Sequence, residues 1–271
     1  MKVTLLGSGE ALGVPAPLCD CTYCETSQQR RRPGLAVETD HATVVLDVSP
    51  DVKEQLNATN TTDVDAFFVT HHHFDHAGGL HELNHAAMAF DEHMLNPDEF
   101  TADERPHEAS FAVHLSPTAC LHLSYSNSHL ANRLDLELLS HGQAVQVGDL
   151  RVVPFPVDHA HPMFDTLGFA VYHDETKVVY APDMGTFLPE REGGREYENA
   201  DLLFAEGAAL FRAEGHGSKA DLRAALESAN AEQTVLLNLS EHLQRMSTDE
   251  MRVVATNSGY ELGQDFETYH V

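Results

Sequence analysis

Short runs of apolar, mostly β-branched residues alternate along the chain with turns marked by glycine and proline. Runs of this length and composition are typical of β-strands. The predicted strands cover residues 3–6, 42–48, 66–70, 112–115, 145–147, 150–156, 166–172, 177–180, 202–204 and 234–238. Apolar residues at helical spacing predict helices at residues 49–57, 79–88, 128–136 and 219–229. Many strands with interspersed helices predict an α/β fold of stacked sheets covered by helices.

The chain has 271 residues and no long linker rich in Ser, Gly or Pro, so we expect one domain over residues 1–271. It contains no run of about 18 apolar residues, so a membrane span is not expected. Met1 leads directly into the first predicted strand, without the charged segment and cleavage site of an export signal. These features predict a cytoplasmic protein without a membrane partner.

The charge of the chain is strongly negative. Sixteen Lys and Arg residues face 43 Asp and Glu residues, which gives a formal net charge of −27. A disordered acidic chain is not expected, because 42% of the residues are hydrophobic and strongly patterned. A folded chain of this charge repels itself unless salt screens the repulsion, so we predict a high-salt cytoplasm. In molar salt the repulsion between an acidic surface and RNA is screened, so RNA remains a candidate partner.

One strand runs directly into Thr-His-His-His-Phe-Asp-His at residues 70–76. Alternate residues at a strand end project to the same side, so His71 and His73 can approach one cation together. Asp75 and His76 follow in the turn and can serve a second cation. Imidazole and carboxylate ligands suit zinc, manganese or iron. A His-x-His-x-Asp-His motif between an apolar strand and two glycines therefore predicts a dinuclear metal site.

The four cysteines fall into two classes. Cys19, Cys21 and Cys24 lie within six residues, whereas Cys120 stands alone in an apolar context. Three thiols cannot all pair with one another, and disulfides are rare in a reducing cytosol. The Cys-x-Cys-x-x-Cys spacing therefore predicts a metal site, and Cys120 is expected to be a small buried hydrophobic residue.

The motif at residues 70–76 matches the signature of the metallo-β-lactamase superfamily, and the chain is identified as a member by this resemblance. The resemblance implies an αββα sandwich of two mixed β-sheets flanked by helices. It also implies further ligands at later strand ends. His159 looks like the third histidine of the first cation, with His161 as the alternative, and Asp183 resembles the carboxylate that bridges both cations.

A final histidine ligand usually follows a late apolar strand in this family. Here Asn238 occupies that position. The second cation site is then completed by His242, or more weakly by Asn238, Glu241 or water.

The N-terminal region resembles one subgroup of the superfamily. The sequence Leu-Gly-Ser-Gly at residues 6–9, the cysteine motif and Arg-Arg-Arg-Pro at residues 30–33 are similar to those of the phosphoribosyl 1,2-cyclic phosphate phosphodiesterase subgroup. The resemblance implies a structural zinc in a loop at about residues 15–33. Its fourth ligand would be His242, with Glu241 as the alternative, and a homodimer is also implied.

His216 lies in the sequence Gly-His-Gly-Ser, just before the predicted helix at residues 219–229. In phosphodiesterase branches of the family a histidine in this neighbourhood contacts the scissile phosphate. A helix N-terminus beside it would favour an anion. The alternative is a simple turn in which Ser218 caps the helix.

The resemblance implies hydrolysis of a small or cyclic phosphodiester by two Zn or Mn ions, with hydroxide as the nucleophile and Asp75 and His216 as catalytic residues. An RNA-processing nuclease similar to the tRNA 3′-end endonuclease is the first alternative. The acidic segment at residues 90–110, a lid or a solvated surface insertion, does not resemble the Gly-rich basic arm of that enzyme. A non-catalytic zinc-binding scaffold is the second alternative, which Asn238 favours.

Overall fold

The strands of the chain form two sheets. The computed structural model describes residues 1–90, 110–126, 129–130, 133–159, 163–211 and 216–271. In chain order the strands are β1 (Lys2–Gly7), β2 (Gly34–Glu38), β3 (Thr43–Leu46), β4 (Ala66–Val69), β5 (Phe111–Leu115), β6 (Leu134–Leu138), β7 (Val145–Val147), β8 (Leu150–Asp158), β9 (Thr166–His173), β10 (Thr176–Ala181), β11 (Thr186–Phe187), β12 (Leu202–Glu206), β13 (Gln233–Leu237), β14 (Glu261–Leu262) and β15 (Thr268–His270).

The helices connect these strands. They are α1 (Thr22–Thr26), α2 (Val52–Thr59), α3 (Phe74–Ala77), α4 (Leu80–Phe90), α5 (Pro117–Ser126), α6 (Ala208–Phe211), α7 (Lys219–Ala229), α8 (Glu241–Gln244) and α9 (Thr248–Asn257). Among the described residues, no helix is both long and apolar enough to cross a membrane.

The first sheet has the strand order β15-β1-β2-β3-β4-β5-β6, and the second has the order β11-β8-β9-β10-β12-β13-β14 with β7 beside β8. Both sheets are mixed. In the first, β3, β4, β5 and β6 are parallel to one another. In the second, β10, β12 and β13 are parallel neighbours, while β8 and β10 each pair antiparallel with β9.

Central strands bury both of their faces, which explains their nearly continuous apolar sequences. In β4, Phe68 points into the core between the sheets, whereas Phe67 packs under the helices of the first sheet. In β12, Phe204 points into the same central core and Leu203 packs under the helices of the second sheet. The molecule is therefore the predicted αββα sandwich.

One predicted helix is wrong. Of the predicted helix at residues 128–136, the last part belongs to strand β6, which pairs with β5. Its sequence Leu-Asp-Leu-Glu-Leu alternates with period two, which is the spacing of a strand and not of a helix. Strands β2, β11, β14 and β15 and helices α1, α3, α5, α6, α8 and α9 were not predicted. Cys120 lies on α5 and packs against the core under the helices of the first sheet, but it is only partly buried, not buried as predicted.

Candidate metal centre and active site

The carboxyl ends of strands from both sheets meet at one edge of the sandwich. Parallel neighbours direct their carboxyl ends to the same edge, where open α/β sheets bind ligands. The polar residues in or within two residues of these strand ends are Asp47, His71, His159, Asp183, Glu206 and Asn238. The turn after β4 adds His73, Asp75 and His76 at the start of α3. A Cβ atom at Gly79 would collide with the carbonyl oxygen of Ser49, so this turn needs glycine to pack.

The predicted ligands of the first cation lie together. His71, His73, His159 and Asp183 each offer one ligand atom, and these atoms all lie within 4.8 Å of one another. The Nε2 atom of His159 lies 3.3 Å from Nδ1 of His73. Oδ2 of Asp183 lies 3.7 Å from Nε2 of His71 and 3.9 Å from Nε2 of His159. The alternative ligand His161 lies outside the described residues.

The predicted ligands of the second cation form an adjoining group of Asp75, His76 and Asp183, all buried. Nε2 of His76 lies 3.1 Å from Oδ2 of Asp75 and 3.2 Å from Oδ2 of Asp183. Asp183 belongs to both groups, which is the arrangement expected of a bridging carboxylate. Burial opposes ionisation of Asp183, but His76 outweighs it and holds the pKa of Asp183 well below its usual range.

Two ring nitrogens show that these residues fit cations. Nε2 of His71 is buried and has no hydrogen-bond partner, and Nε2 of His76 is buried beside the carboxylates of Asp75 and Asp183 without hydrogen-bond geometry to either. A buried polar atom without a partner costs about 1–3 kcal/mol, so something is expected to satisfy it. Burial lowers the pKa of His71 far below 6.5, so this imidazole is neutral and has a lone pair to offer. With carboxylates beside these nitrogens, a divalent cation fits the donor set.

Asp47, which sequence reasoning missed, sets the orientation of the ligand rings. Its Oδ2 lies 2.7 Å from Nδ1 of His76, and its carboxylate accepts hydrogen bonds from the backbone N–H and the hydroxyl of Thr70. Because that hydroxyl donates to Asp47, it accepts from Nδ1 of His71 at 3.0 Å. Both imidazoles are thus fixed with Nε2 toward the site. The available signal was an acidic residue directly after an apolar strand.

Asn238 lies at the expected place but faces the centre as a hydrogen-bond donor. Its Nδ2 atom donates to Oδ1 of Asp183 at 2.7 Å and to Oε2 of Glu206 at 2.9 Å. The sequence offered His242 and Glu241 as substitutes for the missing histidine. Both side chains point elsewhere, as described below, so neither completes the second cation site.

His216 reaches the same centre from the loop before α7. Its Nδ1 atom donates to Oε2 of the buried Glu206 at 2.8 Å, and its Nε2 atom lies 3.9 Å from Oδ2 of Asp183. Burial opposes its protonation, but Glu206 and Asp183 outweigh this and raise the pKa of His216 to about 9. Ser218 caps α7 by accepting from the backbone N–H of Asp221, as the capping-turn interpretation predicted; contact of His216 with a phosphate stays a prediction. Glu206 was missed at the sequence level.

A pocket of about 390 Å³ opens onto the centre. Its lining includes His73, Asp75, His216 and the buried side chain of Glu10. The ring of Phe164 packs edge-on against His73, with centroids 5.1 Å apart, and forms an apolar wall beside the ligands. Residues 91–109, most of the predicted insertion, lie outside the described part of the chain.

The three clustered cysteines meet His242 in a second cluster. Nδ1 of His242 lies 3.3, 3.4 and 3.7 Å from the Sγ atoms of Cys19, Cys21 and Cys24. Ligands of a tetrahedral zinc are separated by about 3.5 Å when Zn–S is about 2.3 Å and Zn–N about 2.0–2.1 Å. The backbone N–H of Cys24 and the ring of His242 lower the pKa of Cys21 to about 6, which favours the thiolate. The cluster therefore fits a four-ligand structural zinc.

Glu241 is not part of this cluster. Both of its carboxylate oxygens accept from Nε of Arg30, at 2.9 and 3.1 Å, and the pair is almost completely buried. The same guanidinium donates to Ser8 and to the carbonyl oxygen of Gly263. The alternative assignment of Glu241 as a zinc ligand is therefore wrong. Its role is to tie the cysteine loop to α8.

Two curated proteins are similar to parts of this chain. An octanoyltransferase from Porphyromonas gingivalis is 39% identical over 87 residues, which cover 31% of this chain and 18% of that protein. A ribonuclease Z from Methanopyrus kandleri is 28% identical over 146 residues, which cover 51% of this chain and 44% of that protein. The chain thus matches less than half the length of either relative.

Solved structures of similar fold cover the whole chain. Zn²⁺-bound PqqB from Methylobacterium extorquens has a TM-score of 0.78 at 17% identity, with 100% of both chains covered. A diphosphatase from the PhnP family has a TM-score of 0.73 at 20% identity, with 100% and 97% covered. Human tRNase Z, short form, has a TM-score of 0.63 at 16% identity, with 100% and 99% covered. These likenesses concern the fold alone.

Residues 42–237 match the family described as the beta-lactamase superfamily domain. This range includes the His-x-His-x-Asp-His motif, His159, Asp183 and His216. The matched range is well over half of the chain. The protein therefore belongs to the β-lactamase superfamily and carries the metal-ligand groups of a metallo-β-lactamase fold.

Proposed function

We propose that the protein is a metal-dependent hydrolase of small or cyclic phosphodiesters. The observation that carries the proposal is the placement of His216. This imidazole is partly exposed to the pocket, hydrogen-bonded to Glu206 on one side and directed toward Asp183 on the other. A protonated imidazole beside a bridging carboxylate is suited to an anionic substrate whose leaving oxygen needs a proton.

The residues of the centre would act as follows. His71, His73, His159 and Asp183 hold one cation, and Asp75, His76 and Asp183 hold the other. Zinc or manganese bound there would supply Lewis acidity, activating water and neutralising the phosphate oxygens. We propose zinc for the cluster of three cysteines and His242, where its contribution is structural.

His216 supplies the proton. Because its Nδ1 is committed to Glu206, only Nε2 is free to face a substrate in the pocket. With cations held by Asp75 and Asp183 offsetting the carboxylate charge, a phosphodiester in the pocket would have its leaving oxygen toward Nε2. As water forms the new bond to phosphorus and the bond to the leaving oxygen breaks, Nε2 donates its proton to that oxygen. Glu206 holds the ring in position and stabilises its charged form.

A second candidate function is endonucleolytic processing of tRNA precursors. The similarity to the ribonuclease Z of Methanopyrus kandleri, 28% identity over 146 residues, supports it. The cleavage chemistry would be the same and only the leaving group would differ. A third candidate, a non-catalytic scaffold, is supported by Asn238 at the position of the usual last ligand.

The experiment is hydrolysis of bis(p-nitrophenyl) phosphate by manganese-loaded protein in about molar KCl, where the acidic surface is screened. Wild type is compared with Asp75→Asn and His216→Gln. Turnover that Asp75→Asn abolishes supports a hydrolytic centre. A 2′,3′-cyclic nucleotide and a tRNA precursor then separate the first two candidates. No turnover of any of the three substrates by folded, metal-loaded wild type would overturn both in favour of the scaffold.

A further inference from the structure

Asn238 joins two buried carboxylates of the centre. Each of the two hydrogens on its Nδ2 atom goes to a different acceptor, Oδ1 of Asp183 and Oε2 of Glu206. Asp183, Glu206 and Asn238 are 3%, 1% and 6% exposed, so solvent screens the repulsion between the two carboxylates only weakly. The amide therefore relieves a repulsion that a side chain without donors would leave in place.

The position of the amide determines which oxygen of Asp183 is free. Oδ1 is committed to Asn238, whereas Oδ2 faces the imidazoles of His71, His76 and His159 at 3.2–3.9 Å. An amide can bind a cation only through its oxygen. Turning the amide to present that oxygen would break both hydrogen bonds and set the oxygen against two carboxylates.

Other side chains that could replace the missing ligand are already committed. Nδ1 of His242 faces the three cysteine thiols, and the carboxylate of Glu241 is held by Arg30. Oε1 of Glu206 accepts from the backbone N–H of Ala208, and its Oε2 accepts from both Asn238 and His216. Asp183, Glu206 and His216 also lie close enough together to hold an ion, but Nδ1 of His216 and Oε2 of Glu206 are hydrogen-bonded to each other. In the described part of the chain, this leaves Asp75, His76 and Asp183 as the second cation group.

We propose that Asn238 is a hydrogen-bond clamp on Asp183 and Glu206 and not a metal ligand, and that the centre consequently binds its two cations unequally. The first cation has four protein ligands and binds tightly. The second has three, shares Asp183 with the first, and binds more weakly. Through Glu206 the clamp also connects Asp183 to His216, so one amide positions both the shared carboxylate and the residue that, on the proposed function, donates the proton.

The test is a titration of the metal-depleted centre with Mn²⁺, followed by the EPR signal of free and bound manganese, while zinc in the cysteine cluster is measured separately. We expect wild type to bind one equivalent at least about 10-fold more tightly than the second. Asn238→His adds an imidazole ligand and should narrow this difference and produce the EPR signature of a coupled manganese pair. Equal affinities in wild type would overturn the proposal.

A second comparison separates a clamp from a ligand. Asn238→Ala frees Asp183, which is shared, so both manganese equivalents should weaken, by about 10-fold or more. Asp75→Asn removes a ligand of one cation and should weaken only the second equivalent. If Asn238→Ala also weakens only the second equivalent, Asn238 is a ligand and the clamp is wrong. The readout does not depend on catalytic turnover.

The isosteric change Asn238→Asp provides a readout in case the larger histidine does not fit. It places a third carboxylate beside Asp183 and Glu206, so the Tm of the metal-free variant should lie below that of metal-free wild type. Manganese should then raise the Tm of the variant by more than it raises the Tm of wild type. Equal stabilisation of both proteins by manganese would contradict the repulsion on which the clamp rests.

Discussion

Oδ2 of Asp47 lies 2.7 Å from Nδ1 of His76, and both side chains are fully buried between the sheets. Asp47 follows β3 with a positive φ of 63°, an unusual backbone conformation for a residue other than glycine. The carboxylate also accepts from the hydroxyl of Tyr180, which extends its contacts to the second sheet. Asp47 belongs to neither candidate ligand group, yet it orients one predicted ligand of each, His76 directly and His71 through the hydroxyl of Thr70.

The first prediction concerns this positioning. Asp47→Asn replaces the carboxylate that accepts the His76 Nδ1 proton with an amide, whose NH₂ group can turn toward that proton. The ring is then less firmly oriented, so manganese affinity should fall about 10- to 100-fold. Metal titration with a fluorescent chelator measures it. Asp149→Asn is the matched control, since Asp149 pairs with His173 at the opposite edge of the sheet. Unchanged affinity in the Asp47 variant would show that the hydrogen bond does not orient the ligand.

The second prediction concerns the cysteine cluster. Cys21→Ser removes one of four ligands, so the protein should lose about one zinc per chain and become more sensitive to proteolysis at residues 15–33. Cys120→Ser, outside the cluster, is the control and should retain its zinc. Zinc content by mass spectrometry and limited digestion are the measurements. A Cys21 variant with full zinc occupancy would contradict the assignment.

The third prediction concerns the buried pair of Arg30 and Glu241. Glu241→Gln leaves the guanidinium of Arg30 without its countercharge. The free energy of unfolding, measured in urea, should therefore fall by about 3–5 kcal/mol. Zinc content in native buffer should not change, because Glu241 is not a ligand. Glu54→Gln, which breaks the ion pair of Arg31 with the exposed Glu54, should cost less than about 1 kcal/mol. Zinc loss in folded Glu241→Gln protein would reopen the alternative ligand.

The fourth prediction concerns pH. His216 has its pKa raised to about 9, so its proton is available below that pH and is lost as the pH rises through it. Hydrolysis of an alkyl phosphodiester, whose leaving oxygen needs a proton, should decline on the alkaline side. His216→Gln should reduce this rate about 10²- to 10⁴-fold and affect p-nitrophenyl esters far less.

Glu206→Gln tests the cause of that pKa. Without the carboxylate, the pKa of His216 should fall and the alkaline decline should move to lower pH. His173→Gln, at the opposite sheet edge, should leave the profile unchanged. If the rate of the Glu206 variant declines at the same alkaline pH as that of wild type, Glu206 does not set the pKa of His216.

The fifth prediction concerns salt. With a net charge of −27, thermal unfolding should shift upward by about 5 °C or more between about 0.1 M and 2 M KCl, because salt screens the self-repulsion. Sucrose at matched osmolality is the control for excluded-solute effects. A Tm that does not depend on KCl would remove the basis for a high-salt environment.

Much of the centre could be predicted from local sequence. His71, His73, Asp75 and His76 lie in one short motif after a strand, so local sequence was enough to group them. Asp183 lies two residues after the end of β10, and its prediction as the bridging carboxylate rested on the family resemblance. Asp47 and Glu206 were missed because each follows or ends an ordinary apolar strand, and only the meeting of the two sheets reveals what they touch. The partner of Glu241 could not be predicted, because Arg30 is 211 positions away.

Two strands of the first sheet show the same limit on the scale of the fold. In β6 the apolar residues Leu134, Leu136 and Leu138 alternate with acids, but the apolar residues of 128–136 also fit helical spacing. Strand β2 is short and pairs with both β1 and β3, so its identity depends on those neighbours and not on its own five residues.

One oxygen atom, Oδ2 of Asp183, lies within 3.9 Å of nitrogens from four histidines, His71, His76, His159 and His216. All four rings therefore interact with the same carboxylate oxygen and are coupled to one another through it. Losses measured for single variants at these positions will not add, since each change redistributes the same charge among the remaining partners. Double-mutant cycles that include Asp183 are the appropriate way to apportion the energetics of this centre.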